Sequence, residues 1–333
     1  MRIVVTGAAG FIGSSLCEYL QSYGIEHIGI DNFACGHRDN VFDISGSPKF
    51  NFAEMDACSA DMCNIITYGD IIVHLAAVSS LPENQSQPVK SFHNNNLSTI
   101  NILEISRKNK ASHFILASTS AIYEKSDKFP CSETDNIMNP SLLYSLGKYH
   151  CEDYCRAFTD AYGLPHTIVR FFNVYGPKND FLRLHPPLVP YIIRELLQNI
   201  PPVLHGSGEQ RRDYVYIDDL ISLLLKIIDN PVAKNNTYNA SSNSTYSVNE
   251  IFEILGKCLN TTIRPVFRSE EFFWDKFQSL RNGFNCELLT REVNKYTCGS
   301  FDKAYSDLGW RPTVSMEDGL MRTAAYIKLS LGP

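Results

Sequence analysis

The fold class predicted by this sequence is α/β: a doubly wound, Rossmann-type parallel sheet followed by a smaller mixed α/β part. Three observations carry the prediction: short β-branched runs alternate with amphipathic stretches, a glycine-rich turn joins the first run to the first helix, and the rhythm breaks after Arg170. Strands are expected near 2–6, 25–30, 49–54, 70–74, 112–118 and 164–170, with helices near 11–23, 84–109 and 141–162. Asn173-Val174-Tyr175-Gly176-Pro177 is turn chemistry, so a boundary is placed there. The two parts are then 1–172 and 173–333, with part of 213–240 returning to the first sheet.

In the second part the patterns give a helix near 188–199, a strand at 213–217 and helices at 219–228 and 248–259. Ser247 to Glu250 and Ser315 to Asp318 read as capping boxes. The stretch 268–300 is the least periodic of the chain.

A length of 333 residues suits about two domains of roughly 150 residues each. With 36 acidic and 30 basic residues the formal charge is −6, which argues against a general nucleic-acid or anionic-membrane surface. No apolar run reaches the ~18 residues that would span a bilayer; Leu220 to Leu225 breaks at Lys226. Membrane insertion is therefore not expected. No export signal is read at Arg2-Ile3-Val4-Val5, and a cytoplasmic protein is expected. The ten cysteines, without a CxxC, are expected to be reduced and mostly buried, with no metal site.

Thr6-Gly7-Ala8-Ala9-Gly10-Phe11-Ile12-Gly13 follows the first strand and opens the first helix. Gly7 permits a tight turn, Gly10 a close approach of backbone to phosphate and Gly13 close helix packing, while the amides of Phe11 and Ile12 begin an anion-stabilising helix terminus. Asp31, 18 residues after Gly13, sits where a carboxylate accepts from ribose hydroxyls, favouring NAD over a 2′-phosphorylated cofactor. Asp56-Ala57 could hold the adenine edge, with a solvated loop aspartate as the competing reading. Leu75, Ala76 and Ala77 would let a cofactor approach the sheet, and His74 reads as a packed strand-end histidine.

Tyr144 and Lys148 stand four residues apart on one face of a helix. A free phenol, with a pKa near 10, is a poor base at neutral pH unless positive charge stabilises the phenolate. Thr119 leaves the fifth strand at the carboxyl edge, where such sheets bind ligands, and could bond the oxygen that Tyr144 deprotonates.

The glycine loop, Asp31, strand-end hydroxyl and Tyr-x-x-x-Lys come in the order of the extended short-chain dehydrogenase/reductase family, and the chain most resembles its nucleotide-sugar epimerases and dehydratases. The likeness runs nearly end to end, through Asp31-Asn32-Phe33, Asn96-Leu97-Ser98-Thr99, Arg170 to Pro177, Gly206 to Asp213 and Leu308 to Pro312. It implies NAD contacts that include Asn32, Asn96, Lys148 and Phe171, and a redox cycle in which Tyr144 removes the sugar 4-hydroxyl proton. It also implies a homodimer through helices near 90–109 and 141–160. Dehydratases of the family carry Asp-Glu after the strand-end threonine, where this chain has Ser120 and Ala121, so epimerisation at C4 of a UDP-hexose or UDP-N-acetylhexosamine is favoured. A 4,6-dehydratase, a 4-keto-sugar reductase and a non-catalytic NAD sensor are the alternatives. Departures from the family pattern are Ser79, Leu143 and Gly147.

On the substrate side the resemblance assigns Arg212 to the diphosphate, Asn173 to phosphate or sugar and Val189 to the base, and counts Ser80 and Thr119 among the substrate contacts. Arg291 and Arg268 compete for a second diphosphate contact, with Arg291 preferred. Thr297, small, aligns with a position that gates N-acetyl groups, and Glu124 is expected to be a solvated loop residue.

Overall fold

The structure, a computed structural model, describes residues 2–42, 46–281 and 283–332. Six strands, β1 (Ile3–Thr6), β2 (His27–Asp31), β3 (Phe50–Glu54), β4 (Ile71–His74), β5 (His113–Thr119) and β6 (His166–Phe171), build the central sheet with a seventh, Asn236–Ala240. The order is Asn236–Ala240, β6, β5, β4, β1, β2, β3, and every pairing is parallel. A parallel sheet is covered on both faces, so its central strands are buried along their length, while the edge strand β3 keeps Asn51 and Glu54 exposed. Along β5, for example, Phe114 and Leu116 enter one buried cluster and Ile115 the other, as the two-residue period of a strand requires.

Strand order reverses between β1 and β4, and the crevice beyond their carboxyl ends is where this architecture receives ligands. Two small sheets lie beyond it. Arg211–Tyr216 pairs antiparallel with Thr245–Ser247 and parallel with Asn173–Tyr175, and Val266–Arg268 pairs with Val203–His205.

Several expectations are corrected. The helix expected at 84–109 is divided into Leu81–Ser86, Pro88–Phe92, a π-helical turn His93–Leu97 and Ser98–Lys108. Pro88 lacks the N–H that would continue the first piece. At Ser247 the capping box is complete, with Ser247 Oγ accepting from Glu250 N at 3.0 Å and Glu250 Oε2 accepting from Ser247 N at 2.9 Å. At Ser315 only half of it forms: Ser315 Oγ accepts from Asp318 N at 3.1 Å, and aspartate is one methylene too short to reach back as glutamate does. Of the ten cysteines, Cys17, Cys131, Cys151, Cys155 and Cys298 are buried and four are exposed, so burial is the state of half rather than most. The aperiodic 268–300 stretch holds short helices Gln278–Arg281 and Cys286–Asn294, and Trp274, Leu289 and Leu142 form a separate small apolar cluster there. No helix among the described residues is long and apolar enough to cross a membrane.

Candidate active site

The loop after β1 and the chain after β4 meet at the reversal of strand order. Gly7 has φ +73°, and a Cβ there would lie 2.8 Å from Ala76 N, so no other residue fits the approach of the two segments. A Cβ at Gly13 would lie 2.1 Å from Gly7 O, which places the tight contact inside the loop itself. Gly7, Gly10, Asp31, Asn32, Asp56, Ala57, Leu75, Ala76 and Ala77 line one groove. Phe11, Ile12 and Gly13 form the first turn of helix Phe11–Ser22 beside it, and that turn has no acidic residue. Helix geometry leaves its first amides for an incoming anion.

Asp31 stiffens the groove, accepting from Ala9 N (2.9 Å) and Phe33 N (2.8 Å). Burial raises its pKa and these bonds pull it down, leaving it above the ordinary carboxylate value. Asn32 donates to Asp56 at 2.8 Å. Arg38, the nearest cation for a 2′-phosphate, is bonded to Glu54 at 2.8 Å and lies over the Phe33 ring at 4.0 Å. Groove, acid and helix terminus fit NAD.

Thr119, Tyr144 and Phe171 line a second cavity of about 610 Å³, within the range of small-molecule sites. Thr119 Oγ1 accepts from Ala121 N at 3.1 Å, which fixes its rotamer at the end of β5. Burial pushes the Tyr144 phenol up to about 12, against the pull of a Thr119 hydrogen bond and the Arg183 charge. Lys148, 2% exposed, donates from Nζ to Ala117 O at 2.8 Å, and burial lowers its pKa. Asn96 lines neither space; its Nδ2 donates to Gly147 O at 3.1 Å. A Cβ at 147 would lie 2.9 Å from Asn96 Oδ1, so glycine there makes room for that contact. His74, wholly buried, bridges Thr6 Oγ1 (2.8 Å) and Thr99 Oγ1 (3.2 Å), and burial, with the Lys148 charge, lowers its pKa to about 3. It is a neutral structural link.

Ser80, Asn173, Val189, Arg212 and Thr297 also line the cavity. Arg212 is aimed by carbonyls at the end of helix Cys286–Asn294, donating to Glu292 O (2.9 Å) and Val293 O (3.0 Å), where the helix dipole favours a cation. Asn173 Nδ2 donates to Asp213 O at 2.8 Å. The structure does not bring Arg291 to the cavity: it points to Glu124 at 3.4 Å, while Arg268 lines the wall. Two further turns of chain between motifs hid that choice in the sequence. Glu124 is not a solvated loop residue, since its side chain is 3% exposed and it accepts from Ser141 N and Leu142 N just before the Tyr144 helix. The carboxylates in the cavity wall, Asp275 and Glu292, pair with Arg268 at 3.4 Å and Lys295 at 2.6 Å.

Sequence reasoning missed Arg183, His205, Gln210 and Trp274, all in the wall. His205 Nε2, Gln210 Oε1, Trp274 Nε1 and Thr297 Oγ1 are buried with no hydrogen-bond partner among the described residues. Buried polar atoms left so are costly, and others of the kind lie outside the wall, at Gln21, His27, Ser106, Ser145 and Ser241. Gln210 stood in the Gly-Glu-Gln motif, but the others sit in stretches without a period to place them.

A family model described as the NAD dependent epimerase/dehydratase family matches residues 3–241, most of the chain. The chain belongs to that family. It is 27% identical over 331 residues to the UDP-glucose 4-epimerase of Mycolicibacterium smegmatis, covering 98% of this chain and 99% of that one. Among solved structures, the UDP-glucose 4-epimerase of Thermotoga maritima with UDP-glucose is 30% identical, with a TM-score of 0.86 and coverage of 99% and 100%. The UDP-glucuronic acid 4-epimerase of Bacillus cereus, with UDP-glucuronic acid and NAD, is 26% identical, with a TM-score of 0.85 and the same coverage.

Proposed function

We propose that the chain is an NAD-dependent isomerase that inverts C4 of a UDP-hexose or UDP-N-acetylhexosamine through a transient 4-keto sugar. The observation that carries the reading is the pairing of Thr119 and Tyr144 in a cavity wall where Ser120 and Ala121 follow without a carboxyl group. Tyr144 takes the proton of the 4-hydroxyl, and Thr119 bonds the same oxygen. Lys148 holds positive charge one helical turn from the phenol, and Arg212 meets the diphosphate. Bound NAD supplies the two-electron oxidation at C4 and its reversal. With no acid to protonate a leaving hydroxyl beside C5 and C6, the keto sugar keeps its substituents and is reduced on either face.

Thr297, small and unpartnered, supports acceptance of an N-acetyl group. Exposed Val89, Phe92, Leu97 and Tyr162, on the helical segments around 88–108 and 143–162, support a homodimer through those helices, and a cytoplasmic location belongs to the same reading. Incubation with UDP-glucose and, separately, UDP-N-acetylglucosamine, followed by proton NMR and mass, tests it. The galacto isomer at constant mass is expected from both. A product lighter by water contradicts epimerisation, and turnover of the plain hexose alone contradicts the N-acetyl assignment. Sedimentation at a single mass of one chain would contradict the dimer.

A further inference from the structure

We infer that the guanidinium of Arg183 is an oxyanion-binding group at the junction between the cofactor groove and the sugar cavity. Arg183 belongs to none of the sequence motifs. It is carried by the loop between Tyr175 and helix Leu188–Leu197, and this loop reaches Ser79 after β4 and His37 after β2. Two of its nitrogens are fixed there: Nε donates to His185 O at 2.9 Å, and Nη1 lies 3.4 Å from Ser79 Oγ. Ser79 follows the Leu75–Val78 segment that walls the groove, and both Ser79 and Arg183 line the cavity with Tyr144.

The nearest acid in sequence, Asp180, is engaged elsewhere. Its Oδ1 accepts from the backbone N–H of Leu182 (3.0 Å) and Arg183 (3.1 Å), and its Oδ2 lies 3.6 Å from His37 Nε2. Asp180 and Glu83 act on the Arg183 charge without bonding it, and Arg183 forms no ion pair among the described residues, although its side chain is largely withdrawn from solvent. A half-buried guanidinium held at Nε and Nη1, with no hydrogen bond at Nη2 among the described residues, is matched by an anionic oxygen. Its charge acts both on Tyr144 in the cavity and on Cys35 in the groove, which supports a junction position. Ser79 is also one of the departures from the family pattern, and the structure puts a cation from the other half of the chain over it.

The inference rests on the reading that NAD and a nucleotide sugar meet here. Two sources supply the oxyanion: a phosphate of the dinucleotide, or a carboxylate on the sugar as in a uronic acid. Equilibrium binding of NAD, and of UDP-glucose and UDP-glucuronate, to the full chain and to its Arg183→Met and Arg183→Lys variants tests it, with circular dichroism to confirm folding. Weakening of NAD by about tenfold or more in Arg183→Met, partly restored in Arg183→Lys, supports the phosphate. A loss of that size for UDP-glucuronate but not UDP-glucose, with NAD unchanged, supports the carboxylate. Unchanged NAD affinity with no selective loss of the uronate overturns the inference. Because binding is read rather than turnover, a failure of the epimerase reading is seen separately.

Discussion

The two halves of the site prepare for their ligands in opposite ways. In the groove at the end of the parallel sheet the polar groups are already bonded to protein, Asp31 to Ala9 and Phe33 and Asn32 to Asp56, and in the core behind it His74 is held by Thr6 and Thr99 and Lys148 by Ala117. In the cavity wall His205 Nε2, Gln210 Oε1, Trp274 Nε1 and Thr297 Oγ1 have no such partner. A cofactor bound the same way in every cycle suits a preformed cradle. A substrate that must enter, turn and leave suits a wall that the protein itself bonds less completely.

The largest expected effect separates chemistry from both halves. Tyr144→Phe should lower kcat by about 10²–10⁴-fold while leaving NAD and UDP-sugar affinity in place; single-turnover kinetics beside titration checks it. Persistence of turnover would remove Tyr144 from the reaction.

Acid should strain both halves, since burial lowers His185 in the cavity wall to about 4, but most of the effect falls on the cofactor half. Burial lowers His74 to about 3 and His113 and His166 to about 4 in the folded state, against an unfolded value near 6.5. The unfolded chain therefore binds more protons between pH 6.5 and 4, so stability is full above pH 6.5 and falls as the pH drops. Each histidine contributes up to about 1.4 kcal/mol per pH unit. Urea unfolding at pH 7.5, 6.5 and 5.5 should show midpoints falling in that order.

Gly13→Ala drives a methyl group into the Gly7 carbonyl, and its cost should be about 3 kcal/mol with loss of NAD binding. Thermal melts with and without NAD measure both. A variant that melts like the parent would mean that the loop is looser than the 2.1 Å approach implies.

The smallest effect falls on the substrate half alone. Arg212→Met should raise KM for a UDP-sugar by roughly 10–100-fold, the worth of charged hydrogen bonds, and leave NAD affinity unchanged. A change in NAD affinity instead would mean that the two halves of the site do not divide cofactor from substrate.

The same contrast governs what could be read in the sequence. Gly7, Gly13, Asp31, Thr119 and Tyr144 were legible because backbone geometry dictates them: a tight turn, a strand end, a helical repeat of four. The central sheet strands were legible because burial on both faces leaves continuous apolar runs, and the edge strand β3 because Phe50 and Phe52 flank the polar, exposed Asn51. Strands of three residues, such as Val203–His205 and Val266–Arg268, carry no period. The walls they build could not be placed. Arg291 was preferred over Arg268 by spacing in a stretch where several short turns make spacing uninformative, and Arg183 stood in a loop among prolines with nothing to fix its direction. Glu124 looked solvated because a carboxylate that holds two backbone amides across 17 and 18 residues leaves no local trace.

The central claim is that the hydrogen on C4 leaves and returns within the protein while the oxygen's proton passes through Tyr144. Conversion of UDP-glucose in deuterium oxide, followed by NMR of the product, tests it most directly. The expected product is a galacto isomer that retains protium at C4 and C5. Deuterium at either carbon would contradict it, since that requires a carbon-bound hydrogen to exchange with solvent, as in dehydration or an enolised intermediate.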